Sequence, residues 1–360
     1  MIAFLIVTEG EGGRVTSVRI DLDVLGSSAA RVGDTPVPLG APKLRSLLGL
    51  LVLWRDQPVA ADRLIDLLWR GAPPPGAGNT LQGYVAGLRR RLEPGRRART
   101  ASSVLLHEGG GYRLAAGAAD VDVDRFEAVV RSGRDHVERL RDRMRPPVLT
   151  EPEAVGRAEV LLDDLAAAMR LWRGDAYADL ADLPVATAER RRLEELRVDA
   201  RVAAVVLELS LGRSAGAVGA LEDLVAGHPL REELWGLWAV ALVRTGRQAH
   251  ALEVVERLRH TLADELGIDP GPAIAALQTA ILRQDPTVLG LDADLLRRTR
   301  SLEPCPHGAC CHATPLVVVV VPGDRALDAR SALRDLLVTN TGEGSPLRDV
   351  RDHLERSSST

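Results

Sequence analysis

The sequence predicts an α+β unit followed by an all-α unit, and three observations carry that expectation. Short alternating apolar stretches between residues 15 and 39 give way to three helical patterns and then to two strand-like runs around Gly109-Gly110-Gly111. Beyond Asp120 the apolar spacing is helical almost throughout. Within that second half Gly212-Arg213-Ser214-Ala215-Gly216-Ala217 recurs without gaps as Gly246-Arg247-Gln248-Ala249-His250-Ala251, a period of 34 residues. That period belongs to helix pairs that bury their apolar faces only by stacking on neighbouring pairs.

Each element follows in order. Val18, Ile20, Leu22 and Val24, then Val37 and Leu39, form a small β-meander broken by Gly26, Gly33 and Gly40. Behind Pro42, which suits a first helical turn, Leu44, Leu47, Leu48, Leu50, Leu51 and Trp54 recur at helical spacing. A second, short helix is expected from Ala61 to Trp69, with Leu64, Ile65 and Leu68 inward and the Gly/Pro-rich stretch 71–78 stopping it. Asn79 or Thr80 is the expected cap of a third helix. There Leu81, Val85, Leu88 and Leu92 form one stripe, and Pro94-Gly95 ends it. Val104-Leu105-Leu106 and Tyr112-Arg113-Leu114 then read as two strands around a glycine tip.

Strands, three helices and a terminal hairpin make a winged helix over residues 18–116, preceded by an N-terminal extension, 1–17. Ala115–Asp120 is expected to be a linker. Residues 121–288 then form an all-α, tetratricopeptide-like repeat domain, with helices near 124–140, 151–172, 188–211, 215–227, 231–245 and 248–266. Residues 292–360 read as a poorly ordered tail containing Cys305, His307, Cys310, Cys311 and His312, with Val317–Val321 as a possible strand.

Composition narrows the function classes. At 360 residues, 46% apolar and 27% charged, the chain suits two soluble domains with real cores. Its net charge of −4 confines any nucleic-acid surface to a local patch. The opening apolar residues lack a basic leader, and no stretch approaches a membrane span, so a cytoplasmic location without membrane contact is expected. Lys43, the only lysine, follows Pro42, so a phosphate-binding Gly-x4-Gly-Lys-Ser/Thr loop is absent. No hydrolase or metalloprotease motif appears, and neither enzymatic activity nor a cofactor is expected. The Cys/His cluster could offer four ligands to a soft metal, but its spacing matches no standard finger, and an incidental reduced tail is the preferred reading.

The local patch is Arg89, Arg90, Arg91, Arg96, Arg97 and Arg99, six arginines within eleven residues at the end of the third helix and beyond. A solvated helix end that complements the helix dipole would explain such a run by charge alone. Placement argues further, because a basic helix after a short helix and before a two-stranded wing can enter a major groove. On a helical wheel Asn79, Gly83, Ala86, Gly87 and Arg90 lie opposite the leucine stripe, flanked by Gln82 and Arg89 on one side and Thr80, Tyr84 and Arg91 on the other. Base readout is therefore expected mainly from Gln82, Tyr84, Arg89 and Arg90, with Thr80, Arg91 and, on the wing, Arg113 completing the DNA-binding set.

Six segments carry a family resemblance: Leu39-Gly40-Ala41-Pro42-Lys43-Leu44-Arg45; Asp62-Arg63-Leu64-Ile65-Asp66-Leu67-Leu68-Trp69; Asn79-Thr80-Leu81-Gln82-Gly83-Tyr84-Val85; Leu88-Arg89-Arg90-Arg91-Leu92; Gly111-Tyr112-Arg113-Leu114; and Leu262 to Pro272. Together they resemble the antibiotic-regulatory activators of actinobacteria. The resemblance implies an OmpR-like winged helix joined to a bacterial transcriptional activator domain. It also implies binding to direct repeats in promoter DNA as a pair of protomers, recruitment of RNA polymerase holoenzyme, and control of a secondary-metabolite gene cluster. The stretch Arg70–Gly78 is the implied polymerase contact.

Three positions depart from the family pattern: Gly87 where relatives usually carry arginine, Glu108 before the wing glycines, and Ala60 at the cap of the second helix. The first two motivate a competing reading, a helical-repeat interaction protein whose winged helix has degenerated.

Overall fold

The computed structural model describes residues 19–290, apart from 98, 99, 116 and 141. The N-terminal extension, the Cys/His cluster and the valine run lie outside the described residues. β1 (Ile20–Asp23) and β2 (Ala29–Val32) form an antiparallel pair with Ile20 opposite Val32, and β3 (Thr35–Pro36) extends it. α1 (Pro42–Leu53) buries Leu44, Leu47, Leu48, Gly49, Leu50, Leu51 and Val52. A helix apolar on nearly every side must sit centrally, and α1 is the axis of the α+β part.

β4 (Val59–Ala60) leads into α2 (Ala61–Trp69), which has Ala60 at its cap and no side-chain cap bond, as the sequence suggested. α3 (Ala77–Leu92) starts earlier than Asn79 or Thr80 would place it. The Pro73-Pro74-Pro75 turn closes on itself through Ala77 N–H donating to Pro74 O, 3.1 Å, and Gly76 takes the left-handed cap conformation at φ 76°. Asn79 and Thr80 therefore fall inside the first turn, and the Thr80 hydroxyl donates back to Gly76 O at 3.3 Å.

β5 (Leu105–Glu108) and β6 (Gly111–Leu114) form the wing. Gly109 and Gly110, at φ 58° and 74°, make a two-residue turn that needs positive φ at both positions. β4 pairs with the other edge of β6, giving a sheet ordered β4-β6-β5.

The stretch expected as a linker is irregular at Ala115 and 117–119 but ends in a strand. Its last residue begins β7 (Asp120–Val121), which pairs parallel with β1 and completes a sheet ordered β3-β2-β1-β7. The reason is Asp122, which opens α4 (Asp122–Glu138) and is buried. Its carboxylate accepts N–H bonds from Val24 and Leu25 at 2.9 Å and from Val123 at 2.8 Å.

The remaining helices are α5 (Pro152–Met169), α6 (Pro184–Ser210), α7 (Ser214–Gly227), α8 (Glu232–Arg244), α9 (Gln248–Leu266) and α10 (Pro272–Leu282). The last of these was not anticipated from the apolar pattern. The 34-residue repeat has a geometric counterpart. Gly212 (φ 73°) ends α6 and Gly246 (φ 79°) ends α8, and Arg213 N–H to Glu208 O and Arg247 N–H to Leu242 O are equivalent 2.8 Å bonds. Each is the six-to-one bond of a glycine helix stop, which turns one helix tightly into the next. α8, buried continuously from Leu234 to Leu242, packs against α7 and α9 and is the core of the repeat.

The α+β part and the helices pack as one compact unit. A single turn of 3-10 helix, Ala178–Leu180, lies between α5 and α6 and reaches α1. Asp179 accepts from Ser28 N–H at 2.7 Å and pairs with Arg45 at 2.8 Å. Arg173 N–H and Tyr177 N–H donate to Leu25 O and Val24 O, both at 2.7 Å. Residues 24–28 are thus held to the helical part by backbone and carboxylate bonds together.

Candidate nucleic-acid interface

α2, the exposed turn 70–76 and α3 position the candidate site, with the wing beside it. The inward stripe of α3, Leu81, Val85, Leu88 and Leu92, is almost fully buried, as its spacing required. The opposite face exposes Gly78, Asn79, Gln82, Gly83, Ala86 and Arg90. Gly83 has nothing within 4 Å of where a Cβ would stand.

Gly87 corrects the wheel. It is buried, and a Cβ there would stand 3.0 Å from Arg91 Nη1, which donates to Gly87 O at 3.1 Å. Position 87 lies toward the edge of the exposed arc, where the side chain of the next turn folds back over it. Glycine there makes room for Arg91 and does not thin the exposed face.

Structure also divides the arginines. Arg89 donates from Nε and Nη2 to Leu105 O at 2.9 and 2.7 Å, and its guanidinium lies 5.9 Å from the centre of the Tyr112 ring. A two-pronged bond of this kind locks α3 to the wing. Arg91 donates to Pro38 O at 3.0 Å, tying α3 to the segment before α1. Arg96 pairs with Glu93 at 3.4 Å, and Glu93 in turn accepts from Ser103 N–H at 2.8 Å at the start of the wing. Arg90 and Arg97 are exposed and have no side-chain partner among the described residues.

The remaining expected site residues flank the helix. Tyr84 stacks on Trp69, with ring centres 6.3 Å apart and planes 9° from parallel, and Lys43 Nζ lies 5.5 Å from the same indole. Arg113 on β6 pairs with Glu108 on β5 at 2.7 Å. That pairing offsets the Glu108 charge and the Arg113 charge against each other within the wing. One contributor escaped sequence reasoning: Glu93, whose anchoring role depends on serines folded back from residues 102 and 103.

A short helix, a turn, a second helix with a polar open face and a glycine-turned wing define a DNA-binding winged helix. Carried on a helical repeat, it makes the protein a bacterial transcriptional regulator. Residues 34–114 match the family model described as transcriptional regulatory protein, C terminal, and residues 149–282 match the bacterial transcriptional activator domain.

The chain is 36% identical over 275 residues to the transcriptional regulatory protein EmbR of Mycobacterium tuberculosis, covering 76% of this chain and 66% of EmbR. It is 35% identical over 272 residues to the regulatory protein DnrI of Streptomyces peucetius, covering 75% of this chain and 94% of DnrI. With the regulatory protein AfsR of Streptomyces coelicolor identity is 37% over 274 residues, but the match spans only 25% of AfsR. The solved structure of Mycobacterium tuberculosis EmbR in complex with a low affinity phosphopeptide has a TM-score of 0.63 and 37% identity, covering 79% of this chain and 69% of that one. The chain thus spans about two thirds of the length of EmbR. It belongs to the family of antibiotic-regulatory transcriptional activators that its motifs resembled.

Among the described residues no helix is long and apolar enough to cross a membrane, and no cluster of His, Cys, Asp and Glu is arranged to hold a metal ion.

Proposed function

We propose that the protein activates a secondary-metabolite gene cluster by binding direct repeats in promoter DNA as a pair of protomers and recruiting RNA polymerase holoenzyme. The observation that carries this reading is the open face of α3, where Gln82 and Arg90 project without internal partners beside a wing held in register by Arg89. In this reading Gln82 and Arg90 contact base edges, while Thr80, Tyr84 and Arg113 line the flanks near phosphates. Arg89 and Arg91 position the helix. The stretch Arg70–Gly78, exposed except at Ala77, precedes and opens α3 and is the proposed polymerase contact. Domain limits of 18–116 and 121–288 remain part of the proposal, with the cytoplasm as its setting. Family membership and the absence of any catalytic constellation in the sequence support a non-enzymatic role.

The test is a mobility-shift titration of the full chain against intergenic DNA of its own cluster at two salt concentrations. Saturable, selective binding that weakens steeply with salt is expected, because each phosphate neutralised releases counterions. Arg90→Ala should weaken selective binding by on the order of tenfold. Absence of binding to any duplex at low salt would overturn the proposal. The features that motivated a degenerate winged helix have structural roles instead, Gly87 beneath Arg91 and Glu108 in its pair with Arg113.

A further inference from the structure

The partner-free face of α3 has a definite chemical order. At about 100° per residue, Gln82, Ala86 and Arg90 fall within about 80° of one another, and four residues advance the helix by about 6 Å. All three are exposed, and Gly83 beside them leaves open space where a side chain would stand. Bulkier neighbours are drawn away from this strip: Tyr84 toward Trp69, Arg89 to Leu105 O and Arg91 to Pro38 O. Small residues at 83 and 86 let the helix backbone sit deep in a groove. Only at such depth does a single methyl, that of Ala86, touch a base.

The three groups match three different base edges. A carboxamide fits N6 and N7 of adenine, a methyl packs against the C5-methyl of thymine, and a guanidinium fits O6 and N7 of guanine. Successive contacts 6 Å apart along the helix correspond to bases about two steps apart at roughly 3.4 Å per step. Resting on the DNA-binding reading above, we infer that each half-site holds an adenine read by Gln82, a thymine met through its methyl by Ala86 and a guanine read by Arg90. They follow that order along the groove. Specificity at the middle position is apolar, a consequence of the small centre of the face.

Duplexes enriched by the full chain from a pool with a randomised window test this directly. The enriched motif should contain the three bases in that order. Replacing the middle thymine by uracil, which removes only the methyl, should weaken wild-type binding about fourfold. Ala86→Gly should bind thymine and uracil duplexes equally. Gln82→Ala should lose its preference for adenine by on the order of tenfold while binding unrelated duplex at low salt as before. Selective binding with no uracil penalty at any thymine, or an adenine preference that survives Gln82→Ala, would overturn this assignment and leave the DNA-binding reading intact. Failure to bind any duplex at low salt would overturn both.

Discussion

Gly111 and Gly83 show how differently two glycines in one site are used. A Cβ at Gly111 would lie 2.0 Å from Val59 O, 2.6 Å from Val59 C and 2.8 Å from Ala60 Cα, all of them backbone of β4. Nothing flexible can yield there, so the strand itself must move. Gly111→Ala is expected to destabilise the protein by about 1–3 kcal/mol and to loosen the wing. Denaturant unfolding measures this, and an unchanged midpoint would mean that β4 does not approach β6 so closely. Gly83 is the opposite case, since its Cβ would meet nothing. Gly83→Ala should raise stability by roughly 1 kcal/mol through helix propensity alone. The same variant should bind selected DNA more weakly, because the added methyl stands on the face that approaches the bases. A variant that is more stable and binds as tightly as wild type would place Gly83 away from DNA.

At the scale of elements, much was legible because the signals are local. The stripe of α3, the limits of α2, the wing strands and the 34-residue repeat all follow from spacing and glycine placement within a few residues. What stayed hidden depends on distant partners. The start of α3 was misplaced because polar residues at 79 and 80 resembled caps, while the proline turn and Gly76 do the capping. Which arginines face solvent was unreadable, since Arg89 and Arg91 are held by carbonyls of Leu105 and Pro38, far away in sequence. α10 was missed because its Pro-Gly-Pro entry reads as a motif before it reads as a helix start. Arg244, at the end of α8, is a further case. It donates to Val288 O and Leu209 O at 3.0 Å and to Pro146 O at 2.5 Å, joining three segments of the helical part. Burial lowers its pKa to about 10, and no carboxylate pairs with it among the described residues. Arg244→Met keeps much of the side-chain volume and removes all three donors, so it should cost about 2–4 kcal/mol. A change within about 0.5 kcal/mol in chemical unfolding would show that water replaces the guanidinium without penalty.

For the whole molecule, the decisive contact is the one made by Asp122, just beyond the stretch expected as a linker. Asp122 grips the Val24 and Leu25 amides while Arg173 and Tyr177 donate to the carbonyls of the same two residues, so residues 24 and 25 are held from the helical part on both sides of the backbone. No local pattern marks such a clamp, because Asp122 is one of three alternating aspartates, 120, 122 and 124, and reads as a solvated first-turn acid like Asp124. Its pKa is raised from 3.8 to about 6, chiefly by burial, against the opposing pull of the Leu25 and Val24 amides. A carboxyl with a raised pKa binds its proton more tightly in the folded state than in the unfolded chain. Its contribution is therefore fullest below about pH 4 and declines as pH rises through about 6, by on the order of 3 kcal/mol. Asp122→Asn does not titrate and turns an amide donor toward one of the backbone N–H groups, which should cost about 1–3 kcal/mol of its own. Melting temperatures of both proteins between pH 4 and pH 8 separate the two effects, because every other carboxylate is common to them. The wild-type advantage should be largest at pH 4 and shrink toward pH 7. An advantage that grows with pH would mean that the amides, and not burial, govern the carboxyl, and that the clamp is strongest when Asp122 is charged.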